Sequence, residues 1–333
     1  MRKMTVGDRA PNFLLDDYSG NPHELYNTDI VGGPIVVIVA SAPADAALAL
    51  KPFAGQARRF EKLGAHCYIL LDGDRAPENL RESAFMALRD VDGKIAEIYR
   101  NASGLDAPAL FALDPNQRIV AVSSEAARFA DIASAVFERI APTGPPRMIS
   151  MQAPVLFIPE VIDDTLCGRL LDAWSGGKRE ENIINVAAGR TSSQAARATV
   201  KRRSDHIVEG PLERELLLAL MPRIAPEVER AFAFDTEWGF EKFRIGCYDA
   251  AETGFFRAHR DNPNAGLQHR QFACSVNLND GYEGGYLRFP EYGMDRYAPP
   301  KGGALIFACG LLHEVVPMTD GRRFTLLTFL DTQ

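Results

Sequence analysis

Four prolines within fourteen residues interrupt the chain at Ala141-Pro-Thr-Gly-Pro-Pro-Arg-Met-Ile-Ser-Met-Gln-Ala-Pro154. Proline donates no backbone hydrogen bond and blocks helix continuation, so neither a helix nor a central strand can run through this stretch. With 333 residues and 46% hydrophobic content, the chain also exceeds what one core usually holds. Two domains are therefore expected, over residues 1–145 and 153–333.

Before the seam, short apolar runs alternate with helical patterns. Pro34–Ala40 and His66–Leu71 read as buried strands, with a helix from Phe53 to Leu63 between them. Ala109–Leu113 and Arg118–Val122 flank the turn chemistry of Asp114-Pro-Asn-Gln and read as a hairpin, and a helix from Glu125 to Ile140 closes the domain. Strands separated by helices predict an α/β sheet covered on both faces.

After the seam, Ile162, Leu166, Leu170 and Trp174 recur every four residues, which predicts an amphipathic helix with Asp163 or Asp164 as its N-cap. A second helical region spans Leu212 to Ala233, and Pro222 and Pro226 are expected to interrupt it. From Glu241 onward the pattern is short strands and turns: 243–248, 255–259, 272–278, 285–289, 304–308, 311–316 and 324–330. Many short strands with turn signals between them suggest a β-sandwich or jelly roll.

Chemistry concentrates in that strand-rich half. Positions i and i+2 of a strand share a face, so His259 and Asp261 can point together while Arg260 points away. With His313 from another strand they would form a two-imidazole, one-carboxylate set, which can hold a ferrous ion on one face of its octahedron and leave three positions open. His-x-Asp alone is common by chance, and the context carries the assignment. Thr319-Asp-Gly321 predicts a turn that returns Arg323 toward His313, where a guanidinium could pair with the far carboxylate of a dicarboxylate such as 2-oxoglutarate. Arg323 is preferred over Arg322 because neighbouring strand residues face opposite sides.

The motifs 247–264, Asn277-Leu-Asn279, Glu283-Gly-Gly-Tyr-Leu-Arg-Phe-Pro290, Lys301-Gly-Gly-Ala-Leu-Ile-Phe307 and His313 through Phe324 resemble the prolyl 4-hydroxylase family of iron(II)/2-oxoglutarate dioxygenases, over about residues 153–330. The resemblance implies a double-stranded β-helix (jelly roll) with supporting helices, Fe(II) held by His259, Asp261 and His313, 2-oxoglutarate on Arg323, dioxygen as second cosubstrate, and room for ascorbate. It implies hydroxylation of a C–H bond, with a prolyl residue of a protein or peptide as one substrate and a free amino acid or small natural product as the alternative. Tyr248 matches a tyrosine lining the cosubstrate pocket, though a half-buried core aromatic is an equal reading. Asn277 stands where some members carry a tyrosine that contacts 2-oxoglutarate, and this departure leaves its role open. Family members also have a mobile loop over the substrate, which places a lid within 187–207 carrying Arg197, Lys201, Arg202 and Arg203; a solvated loop is the bland alternative. His206 and His269 read as surface or structural residues.

The N-terminal half, over about residues 4–141, resembles peroxiredoxins through Val6-Gly-Asp-Arg-Ala-Pro-Asn-Phe-Leu-Leu-Asp16, Val91-Asp-Gly-Lys-Ile-Ala96 and the Asp114 turn, which implies a thioredoxin-like fold. Such a protein carries its peroxidatic cysteine just after the strand equivalent to 35–40, at a helix start that activates the thiolate. Here that segment, Ser41 to Leu48, holds no cysteine. Cys67 falls inside a strand as plain packing, so this domain is expected to be non-catalytic, with a scaffold, docking or dimerisation role.

Composition narrows the partners. Thirty-seven Lys and Arg against 44 Asp and Glu give a formal charge of −7, which disfavours nucleic acid and anionic membrane as partners. The five cysteines are odd in number and scattered through apolar runs, as reduced thiols of a cytoplasmic protein would be. No apolar run reaches the ~18 residues that span a bilayer. A non-catalytic ligand-binding or redox-sensing module is the competing reading, weakened by the complete His259, Asp261, His313 and Arg323 set.

Overall fold

The computed structural model describes residues 4–27, 30, 32–71, 73, 76–77, 80, 84–140, 148–181, 199–234, 236–263 and 265–332. The chain divides into two compact units, Met1–Pro146 and Arg147–Gln333.

In the first unit the chain runs β1 (Leu14–Asp17), β2 (Pro22–Glu24), β3 (Ile35–Ala40), α1 (Pro43–Leu50), α2 (Ala57–Lys62), β4 (His66–Leu71), β5 (Met86–Arg89), α3 (Lys94–Ser103), β6 (Ala109–Leu113), β7 (Ile119–Ser123) and α4 (Phe129–Phe137). One seven-stranded sheet results, ordered β2-β1-β5-β4-β3-β6-β7. Strands β3, β4 and β5 are parallel, and β6 and β7 form an antiparallel pair beside them. Burial follows the period of the strand: Val36, Ile38 and Ala40 of β3 join a core with α1, α2 and α4, while Ile35, Val37 and Val39 join a second core with Ala96 and Tyr99 of α3. A strand buried on both faces must be apolar at every position, which is why 35–40 shows no alternation. The β6–β7 turn forms because the Asp114 carboxylate accepts the backbone N–H groups of Asn116 and Arg118. The helix expected from Phe53 is shorter, since Lys51–Phe53 is a 3₁₀ turn and α2 begins only at Ala57.

The second unit comprises β8 (Val155–Ile158), α5 (Asp164–Gly176), β9 (Glu180–Glu181), β10 (Lys201–Arg202), β11 (Ser204–Ile207), α6 (Pro211–Phe232), β12 (Gly239–Phe240), β13 (Arg244–Asp249), β14 (Phe255–His259), β15 (Arg270–Asn277), β16 (Glu283–Gly284), β17 (Leu287–Arg288), β18 (Ala304–Ala308), β19 (His313–Val315), β20 (Met318–Asp320) and β21 (Arg322–Asp331). A large antiparallel sheet runs β8-β18-β15-β21-β13-β11-β9, with β12 added beside β21; a small one runs β10-β14-β19-β17, and β16 pairs β20. Helix α5 starts where Asp163 caps it, the carboxylate accepting the Leu166 N–H at 2.8 Å. Helix α6 is continuous through Pro222 and Pro226, contrary to expectation. Its buried residues Leu216, Leu220, Ile224 and Val228 repeat every four positions, so packing on the large sheet outweighs the two lost ladder bonds. No helix among the described residues is long and apolar enough to cross a membrane.

Candidate metal centre

His259 ends β14 and His313 opens β19, and the two are cross-strand partners in the small sheet. Strand β14 stops at His259, so Asp261 is delivered by a bend and not by strand alternation; its N–H donates to the Cys309 carbonyl at 3.0 Å. The carboxylate lies between the two rings, with Oδ1 3.5 Å from His259 Nε2 and Oδ2 3.4 Å from His313 Nε2. One ligand atom from each of the three residues falls within 4.8 Å of the others.

Each ring is held by the carbonyl two residues before it. His259 Nδ1 lies 2.8 Å from Arg257 O, and His313 Nδ1 lies 3.0 Å from Leu311 O. A carbonyl only accepts, so both Nδ1 atoms carry the proton and both Nε2 lone pairs face Asp261, the tautomer a metal requires. Phe256 stacks on His259 at 3.6 Å between centroids, and Phe307 meets His313 edge-on at 4.7 Å. Burial lowers the His313 pKa, favouring the neutral ring, although Asp261 opposes this. Burial would raise the Asp261 carboxyl, but His313 and His259 hold it below the usual carboxylate range.

A cavity of about 330 Å³ opens on these three residues and reaches Arg323 on the large sheet. The chain from His313 to Arg323 is not a simple hairpin: β19 belongs to the small sheet, β20 pairs β16, and β21 lies in the large sheet. Arg323 therefore meets the imidazoles from the opposite wall. It is 1% exposed, while Arg322 faces solvent. Its Nη1 donates to Gly285 O at 2.7 Å and its Nε to Asn277 Oδ1 at 3.2 Å, whereas Nη2 is buried with no hydrogen-bond partner among the described residues. Gly285 makes this seat: its φ is +65°, and a Cβ there would strike the Met318 sulfur and crowd Arg323 Cδ.

Tyr248 is Arg323's cross-strand neighbour on β13, 2% exposed, and lines the cavity. Asn277 does not line it. Its amide is taken up by Asn279 O, the Tyr282 hydroxyl and Arg323 Nε, so it positions the guanidinium from behind. Arg260 turns from the metal ligands to the Glu291 carboxylate and the Gly310 carbonyl. His206 hydrogen-bonds Lys178 O, and His269 joins Glu241 and Arg270 in a surface ion cluster.

The lid expected within 187–207 lies largely outside the described residues, Arg197 with it; of its described part Arg202 is exposed, while Lys201 and Arg203 line the cavity wall. Lys201 Nζ lies 2.9 Å from Asp205 Oδ2. Arg203 grips the same carboxylate with two nitrogens, at 2.5 and 3.0 Å, and donates Nη1 to the Tyr248 hydroxyl at 3.1 Å. Gly246, paired with Asp205, gives the space, since a Cβ there would fall 2.8 Å from Arg203 Cδ. This cluster was missed as a site; its signal was charge at 201, 203 and 205, every second residue along an extended segment.

No family model matches the chain. It is 26% identical over 197 residues to procollagen-lysine,2-oxoglutarate 5-dioxygenase 1 of Gallus gallus, covering 56% of this chain and 25% of that protein. It is 23% identical over 196 residues to the human 5-dioxygenase 2, covering 55% and 24%. The chain thus spans about a quarter of the length of these curated relatives. Among solved structures, a viral collagen prolyl hydroxylase of Paramecium bursaria Chlorella virus-1 aligns with a TM-score of 0.41 at 15% identity, over 54% of this chain and 96% of that one. A Pseudomonas putida prolyl-4-hydroxylase aligns at 0.40 and 18%, over 55% and 94%. Peroxidoxin BcpB of Mycobacterium tuberculosis aligns at 0.36 and 24%, over 41% and 99%.

Proposed function

We propose that the second unit is an iron(II)- and 2-oxoglutarate-dependent dioxygenase that hydroxylates a C–H bond of a peptide or small molecule, in a double-stranded β-helix formed by its two sheets. The observation that carries this is the pairing of two features across one cavity: three convergent metal-type ligands on one wall and an orphaned, buried guanidinium nitrogen on the other. A buried cation with one unmet donor is costly unless a ligand completes it. A dicarboxylate reaching from the metal to Arg323 would do so.

His259 and His313 would hold the metal through Nε2 and Asp261 through a carboxylate oxygen, a set suited to ferrous iron with open positions. When bound, that iron supplies the dioxygen chemistry, coupled to conversion of 2-oxoglutarate to succinate and carbon dioxide. The protein's part is orientation and exclusion. Arg323 anchors the far carboxylate by charge-assisted hydrogen bonds. Tyr248, whose oxygen already accepts from Arg203, has its own proton left to donate into the cavity. Ser275 and Thr325, 2.9 Å apart, line the same wall with hydroxyls. Phe256, Phe307 and Leu287 keep the metal side apolar.

The curated relatives are named for a lysyl substrate, but a lysyl ammonium would enter a cavity already lined with cations, so that specificity is not carried over. With a substrate in hand, His259→Ala and Asp261→Ala should each abolish succinate formation from 2-oxoglutarate. Turnover retained in both would refute the ligand assignment.

A further inference from the structure

All three metal-type ligands stand at or beyond the end of a strand ladder. Past the His259–His313 pair the chain leaves β14 through a bend at 260–262 and enters β19 from a turn at 309–312, so ligand placement passes to hydrogen bonds outside the sheet. One of these joins bend to turn directly, from Asp261 N–H to Cys309 O. Others converge on Glu291, which comes from a third segment. It sits in the turn after β17, where the Tyr292 N–H donates to Phe289 O at 2.9 Å. Phe289 anchors that turn, being 1% exposed and packed edge-on against Phe307 at 5.0 Å between centroids.

Glu291 Oε1 accepts from Arg260 Nη2 at 2.7 Å, and Oε2 accepts from Arg260 Nη1 at 3.2 Å and from the Leu312 backbone N–H at 3.0 Å. Arg260 Nη1 also donates to Gly310 O. Because Arg260 stands between His259 and Asp261, the carboxylate is fastened to the segment that carries two ligands. Through Leu312 it reaches the third. The Leu312 N–H lies in one peptide plane with the Leu311 carbonyl, and that carbonyl accepts the Nδ1 proton of His313 at 3.0 Å. A carboxylate on one side of a peptide group polarises it toward the imidazole on the other, since hydrogen bonds in a chain strengthen one another. A stronger acceptor at Nδ1 fixes the ring and raises the basicity of Nε2, the atom turned to the metal position.

Resting on the dioxygenase reading, we infer that Glu291 is a positioning residue of the metal centre, acting on His313 through the 311–312 peptide and on His259 and Asp261 through Arg260. As an ion pair alone it would count for little, because the Arg260 and Glu291 side chains are 41% and 40% exposed and exposed pairs add little stability. Its effect belongs to metal affinity and geometry, not to folding. Glu314 supplies the contrast. It follows His313 directly and carries the same charge, but its carboxylate goes to the side chain of Arg288, its cross-strand partner.

The test is an anaerobic titration of the full chain with Co(II), read by its visible d–d absorption, with thermal unfolding of each metal-free protein recorded beside it. The band is assigned to this centre by its absence in His259→Ala. Glu291→Ala should bind Co(II) roughly 10-fold more weakly than wild type, with a displaced band and an unchanged unfolding midpoint. Glu291→Gln should fall between the two, since its amide oxygen can still accept from Leu312 but carries no charge; it also decides the matter should Glu291→Ala not fold. Glu314→Ala should bind Co(II) as wild type does. Wild-type affinity and band in the Glu291 variants would overturn the inference. So would an equal loss in Glu314→Ala, which would make the effect one of nearby charge, or a loss of affinity matched by a loss of the fold. Wild type with no band that depends on His259 would overturn the dioxygenase reading itself, and the inference with it.

Discussion

Arg323 and Lys201 are buried cations of opposite design. Arg323 is held by Gly285 O and Asn277, with one nitrogen left for a ligand. Arg323→Met should remove about 2–3 kcal/mol of charge-assisted hydrogen bonding, seen as a roughly 30- to 150-fold weaker affinity for 2-oxoglutarate, with metal binding intact. The Lys201 ammonium is pushed down to about 7 by burial and by Arg203 and Arg244, against the pull of Asp205. Between pH 7 and the ordinary lysine value of 10.5, the unfolded chain therefore holds a proton that the folded chain has lost. Stability should rise with pH across this window, and Lys201→Met should flatten the rise. A slope unchanged in the variant would contradict the assignment. The sequence offered His259, Asp261, His313 and Arg323 through motif context rather than spacing alone, and the structure brings a ligand atom of each of the first three within 4.8 Å of the others. The sequence could not show that Asn277 serves Arg323 from behind, since that depends on Tyr282 and Asn279 closing around one amide.

Elements were legible where period and burial agree. Strands 255–259 and 304–308 match the strands read from the sequence residue for residue, and the α5 cap is Asp163, one of the two aspartates that the sequence offered. Asp163→Ala should cost about 1 kcal/mol, measured as a lower denaturant midpoint with unchanged slope. Very short strands escaped: β9, β10, β12, β16 and β20 are two or three residues long, below any periodicity. Helix α6 escaped as one unit because a proline's local cost is visible in sequence while the compensating contacts of Leu216, Leu220 and Ile224 are not. The solvated-loop alternative fails for Lys201 and Arg203 for a related reason, as basic residues read as solvated until Asp205 and Tyr248 are placed beside them.

At the scale of the whole molecule, two units with separate cores occupy one chain. All five cysteines are buried, and burial pushes Cys67, the one thiol of the first unit, up to about 12. Such a thiol is neither ionised nor accessible near neutrality. The native chain should accordingly react with a thiol reagent at pH 8 only after unfolding, and show no thiol-dependent peroxide turnover. The central claim concerns the second unit, and its most direct test is an anaerobic titration of the full chain with Fe(II) and then 2-oxoglutarate, followed by the visible charge-transfer absorption of a chelated ferrous centre. The account predicts a band in wild type that is absent in His259→Ala and needs far more 2-oxoglutarate in Arg323→Met; wild type that binds Fe(II) and 2-oxoglutarate without any band, or not at all, would contradict it.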